Sequence, residues 1–181
     1  MKKITGFTLI ELLVVMIIIV IVLAIATVSG SVWRNRYLVE SQTKQMYTDL
    51  LNARAKAMQR NRMYFAAFTT TRYTIYEDSN PAPDGNGTLE TGVGGDTQWL
   101  QTNLNADYAV TIAPAAAVVD TINFGSRGLV SWSLGIVSVP TVTQQTIYVT
   151  SRRFGAAYDC IVIAQTRLTM GAWDGANCKI Q

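Results

Sequence analysis

The stretch Leu12–Trp33 contains no charged residue and no proline, and Ile, Val and Leu dominate it. A run of this length and character crosses a bilayer only as a helix, because lipid offers its backbone no other hydrogen-bond partners. Lys2 and Lys3 precede it, which predicts a cytoplasmic N-terminus and an exported remainder. One acid, Glu11, stands at its head. A carboxylate at the centre of a membrane helix costs about 2.5–3.5 kcal/mol, and less near an interface. An ordinary secretory signal carries a small-residue cleavage site after the apolar region. Residues 24–31 (AIATVSGS) fit that loosely, but an ordinary apolar region does not begin with a glutamate.

The residues around Glu11 account for it differently. Gly6-Phe7-Thr8-Leu9-Ile10-Glu11 resembles the type IV prepilin signature shared by type IV pilins and type II secretion pseudopilins. The resemblance implies a leader over residues 1–6, cut by a prepilin peptidase between Gly6 and Phe7. It also implies N-methylation of the new Phe7 amine and retention of the apolar segment as a filament core. Glu11 then meets the Phe7 amine of a neighbouring subunit. A buried acid with a cationic partner is tolerated where an unpaired one is not, so the pair sets axial register.

Beyond the apolar segment the helical period continues to Arg62. Met46, Leu50, Ala53 and Ala57 share one face, flanked by Tyr47, Leu51 and Met58, while Lys44, Lys56 and Arg60 fall on the other side. A helix over 7–62 is about 84 Å long at 1.5 Å per residue. Gly30-Ser31 is its soft spot, a candidate bend. The chain therefore divides into a leader (1–6), an apolar helix (7–33), an amphipathic helix (34–62) and a head (63–181).

After Arg62 the period becomes two. Met63–Phe68 and Arg72–Tyr76 predict a hairpin across Thr69-Thr70-Thr71. Tyr108–Ile112, Thr121–Phe124, Leu129–Trp132, Ile136–Val139, Thr146–Thr150, Cys160–Ala164 and Arg167–Met170 read as further strands, and Trp99–Leu104 reads either way. The fold class is α+β: a long N-terminal helix whose outer half packs against an antiparallel β-rich head. "LLNARAKAMQRNRMYFA" (50–66), "INFGSRGLV" (122–130) and "IYVTSRRFGAAYDCIVIAQTRL" (147–168) are similar to the GspH/FimT group of minor pseudopilins and minor pilins. The group's closing Gly-Arg is replaced here by Thr166-Arg167.

Charge is segregated along the chain. Residues 33–62 hold seven Arg and Lys against Glu40 and Asp49, while residues 77–120 hold seven acids and no base. Such segregation suits solvated faces or charge-directed assembly. The acidic loop reads as a solvated loop and no cofactor is expected; the alternative is calcium, for which Asp78, Asn80, Asp84, Asn86 and Glu90 supply oxygen ligands, although their spacing is not that of an EF-hand. Cys160 and Cys178 pair if the head reaches an oxidising compartment and remain two thiols if it does not.

No histidine is present, and no nucleophile-elbow, Walker or dinucleotide motif appears, so no enzyme activity is expected. The expected function is a minor pilin or pseudopilin that primes a filament or sits near its tip. Its partners are other subunits, the prepilin peptidase and, before assembly, inner-membrane lipid, with the head in the periplasm. A major structural pilin is one alternative. The other is a DNA-binding minor pilin, in which Arg152, Arg153, Arg167 and Lys179 contact phosphates and Trp173 stacks on bases.

Overall fold

The structure, a computed structural model, describes residues 7–113, 121–133, 144–149 and 155–181, without the side chains of 25–31 and 133. The first element is one helix, α1 (Leu9–Arg60). Its N-cap is Thr8, whose side chain accepts a hydrogen bond from the Glu11 amide at 3.3 Å. Its C-cap is Asn61 at φ 54°, a left-handed conformation that asparagine tolerates better than most residues. The bend expected at Gly30-Ser31 does not interrupt the helix.

Ten strands follow. β1 (Tyr64–Phe68) and β2 (Arg72–Glu77) form the predicted hairpin, and β3 (Thr97–Asn103) settles the ambiguous Trp99 region as strand. Tyr108 closes a short 3-10 turn (Ala106–Tyr108) rather than opening a strand, so β4 begins at Val110 and ends at Ala113. The remaining strands are β5 (Thr121–Phe124), β6 (Val130–Ser133), β7 (Gln144–Val149), β8 (Cys160–Ala164), β9 (Leu168–Trp173) and β10 (Cys178–Ile180). The strand expected at Ile136–Val139 lies outside the described residues. Two antiparallel sheets result, ordered β3-β2-β1-β5-β6 and β10-β9-β8-β7-β4.

The core lies where the outer half of α1 meets both sheets. Val39, Met46, Leu50, Ala53 and Ala57 on the helix are fully buried. They join Tyr64, Ala66 and Phe68 of β1, Tyr73 and Ile75 of β2, Ile122 and Phe124 of β5, Ile147 and Val149 of β7, and Ile161 and Ile163 of β8. The strand residues recur at every second position, as one face of a sheet demands. Small alanines on the helix let the strands approach closely, and burial at roughly 25 cal/mol per Å² makes this stripe the main attachment of head to helix.

Candidate functional site

Among the described residues, no side chain of α1 before Leu38 joins that core. From Phe7 to Leu23 every large apolar side chain is exposed, and Phe7 and Leu9 are each more than four-fifths accessible. Leu13, Met16, Ile17, Val20 and Ile21 line one shallow, almost wholly apolar groove along the helix. Water leaves such a surface uncovered only at a large cost in free energy. The helix is therefore two devices in one element: an outer half that holds the head, and an inner half that awaits an apolar environment. Among the described residues, no helix is long and apolar enough to cross a membrane. The segment expected to span one continues through residues 25–31, whose side chains lie outside the described residues.

Glu11 sits in the first turn of α1, where the helix dipole favours a negative charge. The Thr8 hydroxyl caps the Glu11 amide. Thr8-x-x-Glu11 is thus the capping pattern that signals a helix start, and it was present in the sequence without being read as such. Glu11 and Phe7 lie at the same exposed end. Gly6 lies outside the described residues.

Farther along, the helix end is locked to the head by charge. The Glu77 carboxylate, 8% exposed, accepts from Arg60 at 2.7 and 3.0 Å, from Arg62 at 3.4 Å and from the Tyr64 hydroxyl at 2.9 Å. Burial pushes this carboxyl up, but the bonds from Arg60 and Tyr64 and the two positive charges outweigh burial and hold it below the ordinary value. Tyr64 is pushed up to about 12, by burial first and then by its bond to Glu77. Lys56 is not simply solvated: its ammonium lies over the Trp99 ring, 4.9 Å from the centroid, and Trp99 packs edge-on against Tyr64.

The acidic loop between β2 and β3 spends its oxygens on itself. Asp78 accepts from the amides of Asn86 and Gly87 at 3.1 and 2.8 Å. Asp96 accepts from the amides of Ser79, Asn80 and Glu90 at 2.9–3.1 Å. The Glu90 carboxylate takes both the Asn80 and the Asn86 side-chain amides. Asp84 is exposed at the loop surface. Burial raises the Asp78 carboxyl, against the pull of its amide bonds. Among the described residues, no group of three or more His, Cys, Asp or Glu is placed to hold a metal ion. The loop is folded around carboxylate–amide bonds, with Asp96 as an anchor that the sequence did not single out.

At the other end of the head, Cys160 and Cys178 are joined by a disulfide that ties β10 to β8. Lys179 pairs with Asp174 at 3.4 Å and lies opposite Ala172 on β9. Arg167 precedes Leu168, the first residue of the same strand, so it stands at the other end of β9 from Lys179. Trp173 stacks flat on Tyr148, with centroids 4.1 Å apart. Arg152 and Arg153 lie outside the described residues. The described part of the expected phosphate-binding patch is thus spread along a strand, and its lysine is already engaged.

The prokaryotic N-terminal methylation motif matches residues 1–27. No curated protein matches the chain. Among solved structures, it is similar to the minor pseudopilin EpsH from the type 2 secretion system of Vibrio cholerae, at 14% identity and a TM-score of 0.45, over 72% of this chain and 93% of that one.

Proposed function

We propose that this chain is a subunit of a type IV pilin-like filament, a minor pilin or pseudopilin, held in the inner membrane before assembly with its head in the periplasm. The observation that carries the reading is the division of α1. From Leu9 to Leu23, within the methylation motif, it exposes only apolar side chains apart from Glu11. An apolar rod that projects from a folded head is stable in lipid and equally stable against other such rods. Transfer from one to the other exchanges one apolar environment for another, so little hydrophobic free energy opposes it.

In this reading the peptidase cuts between Gly6 and Phe7 on the cytoplasmic side, and Phe7 is then N-methylated. The new amine remains cationic. Glu11 of an incoming subunit accepts it from a neighbour, and a misregistered subunit is rejected because its acid stays unpaired among apolar side chains. The head serves as the outer face of the filament, and the subunit acts early in assembly or near the tip.

The test is Glu11→Val in the full chain, expressed with its assembly machinery. Leader cleavage and membrane insertion should be unchanged, while the variant should be missing from sheared filaments. Incorporation at the normal level overturns the register mechanism.

A further inference from the structure

Trp33 and Tyr37 are stacked on each other, with centroids 6.1 Å apart and ring planes 17° from parallel. Both are strongly exposed, at 71% and 61%. They lie one turn apart on a helix face turned away from the buried stripe that begins at Val39. Arg34 and Arg36, both exposed, flank them on either side. Two large aromatics left in water on a helix are anomalous when the same helix buries Val39, two residues farther on, completely.

Their position supplies a reason. From Glu11 to Trp33 the helix rises about 33 Å at 1.5 Å per residue, close to the roughly 30 Å hydrocarbon thickness of a bilayer. On the opposite side of the same turn the head begins: the Tyr108 hydroxyl donates to Asn35 at 2.9 Å. A polar head cannot follow the helix into lipid, so the level of Asn35 is the deepest the membrane surface can reach. Trp33 and Tyr37 lie at that level.

We propose that Trp33, Tyr37 and Arg34 form an interfacial anchor that seats the chain in the phospholipid headgroup layer on the side of the head. The rings occupy the boundary between acyl chains and headgroups, where an apolar body with a polar edge is best accommodated. The Arg34 guanidinium reaches lipid phosphates beside them, and guanidinium suits that pairing through its planar donor fork. The anchor fixes the depth and rotation of α1, and so holds the head against the bilayer until assembly lifts it away. This rests on the membrane-anchored reading above.

The experiment uses the full chain reconstituted in phosphatidylglycerol–phosphatidylcholine vesicles carrying bromine at a shallow or a deep acyl position. Flotation with the vesicles at alkaline pH first establishes anchoring. The wild-type-minus-Trp33→Phe difference in fluorescence then reports Trp33 alone. The expected result is strong quenching by shallow bromine and at least threefold weaker quenching by deep bromine. Chain that floats but shows no difference signal places Trp33 in water and overturns the anchor while leaving the membrane reading intact. Protection from both bromolipids that is relieved by diluting the protein in lipid assigns this face to a second copy, and also overturns it. Failure to float overturns both.

Discussion

The guanidinium Nε of Arg54 donates to the carbonyl oxygen of Gly128 at 2.7 Å. The contact joins the second-last turn of α1 to the turn between β5 and β6, 74 residues away in the chain. Gly128 adopts φ +73°, and a Cβ there would run into the Met58 side chain on the same helix. The turn is thus shaped to present its carbonyl to the helix. Arg54→Ala should destabilise the protein by about 1–2 kcal/mol, the range for a partly screened charge-assisted hydrogen bond. Gly128→Ala should cost a similar amount through left-handed strain and the Met58 clash. For a chain of this size each kcal/mol lowers Tm by about 2–4 °C. A thermal melt unchanged in both variants would remove the contact from any account of stability.

Glu77 predicts a pH dependence. Its folded carboxyl is held below the ordinary value of 4.5. The native state therefore prefers the ionised form, and that stabilisation is complete above about pH 4.5 and lost as the pH falls through the lower folded value. In Glu77→Gln the acid arm of a Tm-against-pH profile should flatten. Glu77→Ala should also cost about 1–3 kcal/mol at neutral pH, because the buried Tyr64 hydroxyl loses its acceptor. If the Gln variant keeps the wild-type acid arm, acid sensitivity arises elsewhere.

Gln145 is fully buried in β7, and neither its Oε1 nor its Nε2 has a hydrogen-bond partner among the described residues. A buried amide without partners forfeits its hydration with nothing in return. Gln145→Leu keeps much of the volume and should raise the urea midpoint, by an amount equivalent to about 1–3 kcal/mol. A lower midpoint in this variant would mean that the amide is engaged after all.

The Cys160–Cys178 bridge closes a loop of 18 residues. In the chain-entropy model, opening it costs about 3 kcal/mol. β10 is a three-residue edge strand, so it should fray first. Reduction should lower Tm and speed amide exchange at Lys179 and Ile180 ahead of β8. Equal acceleration throughout the sheet would show that the bridge stabilises the head as a whole.

Period and end signals made much of the architecture legible without any structure. The change from a helical period to a period of two at Arg62 placed the helix-to-sheet junction within two residues of the last helical position, Arg60. The stripe Met46, Leu50, Ala53 and Ala57 was readable because a buried helix face must repeat every three or four residues, and all four are fully buried. The β1–β2 hairpin was readable from local pattern and turn residues, and β8 as a short continuous apolar run. Glu11 was conspicuous because a charge in an apolar run breaks a strong local rule.

Tertiary structure decided what period cannot encode. Arg54 and Gly128 lay in two stretches that sequence reading had marked separately, and only folding put one on the other. Glu77 looked like the first acid of a loop until the helix end brought Arg60 and Arg62 to it. Asp96 looked like one acid among seven until three amides converged on it. Trp33 and Tyr37 lay at the end of the apolar run, but their anomaly appeared only when Val39, on the opposite face, proved to be sealed under the head. Helices and strands follow from backbone geometry and local hydrophobicity, which the sequence carries residue by residue. Polar partners are chosen by which surfaces meet, and that depends on how the two sheets pack on one face of a single helix.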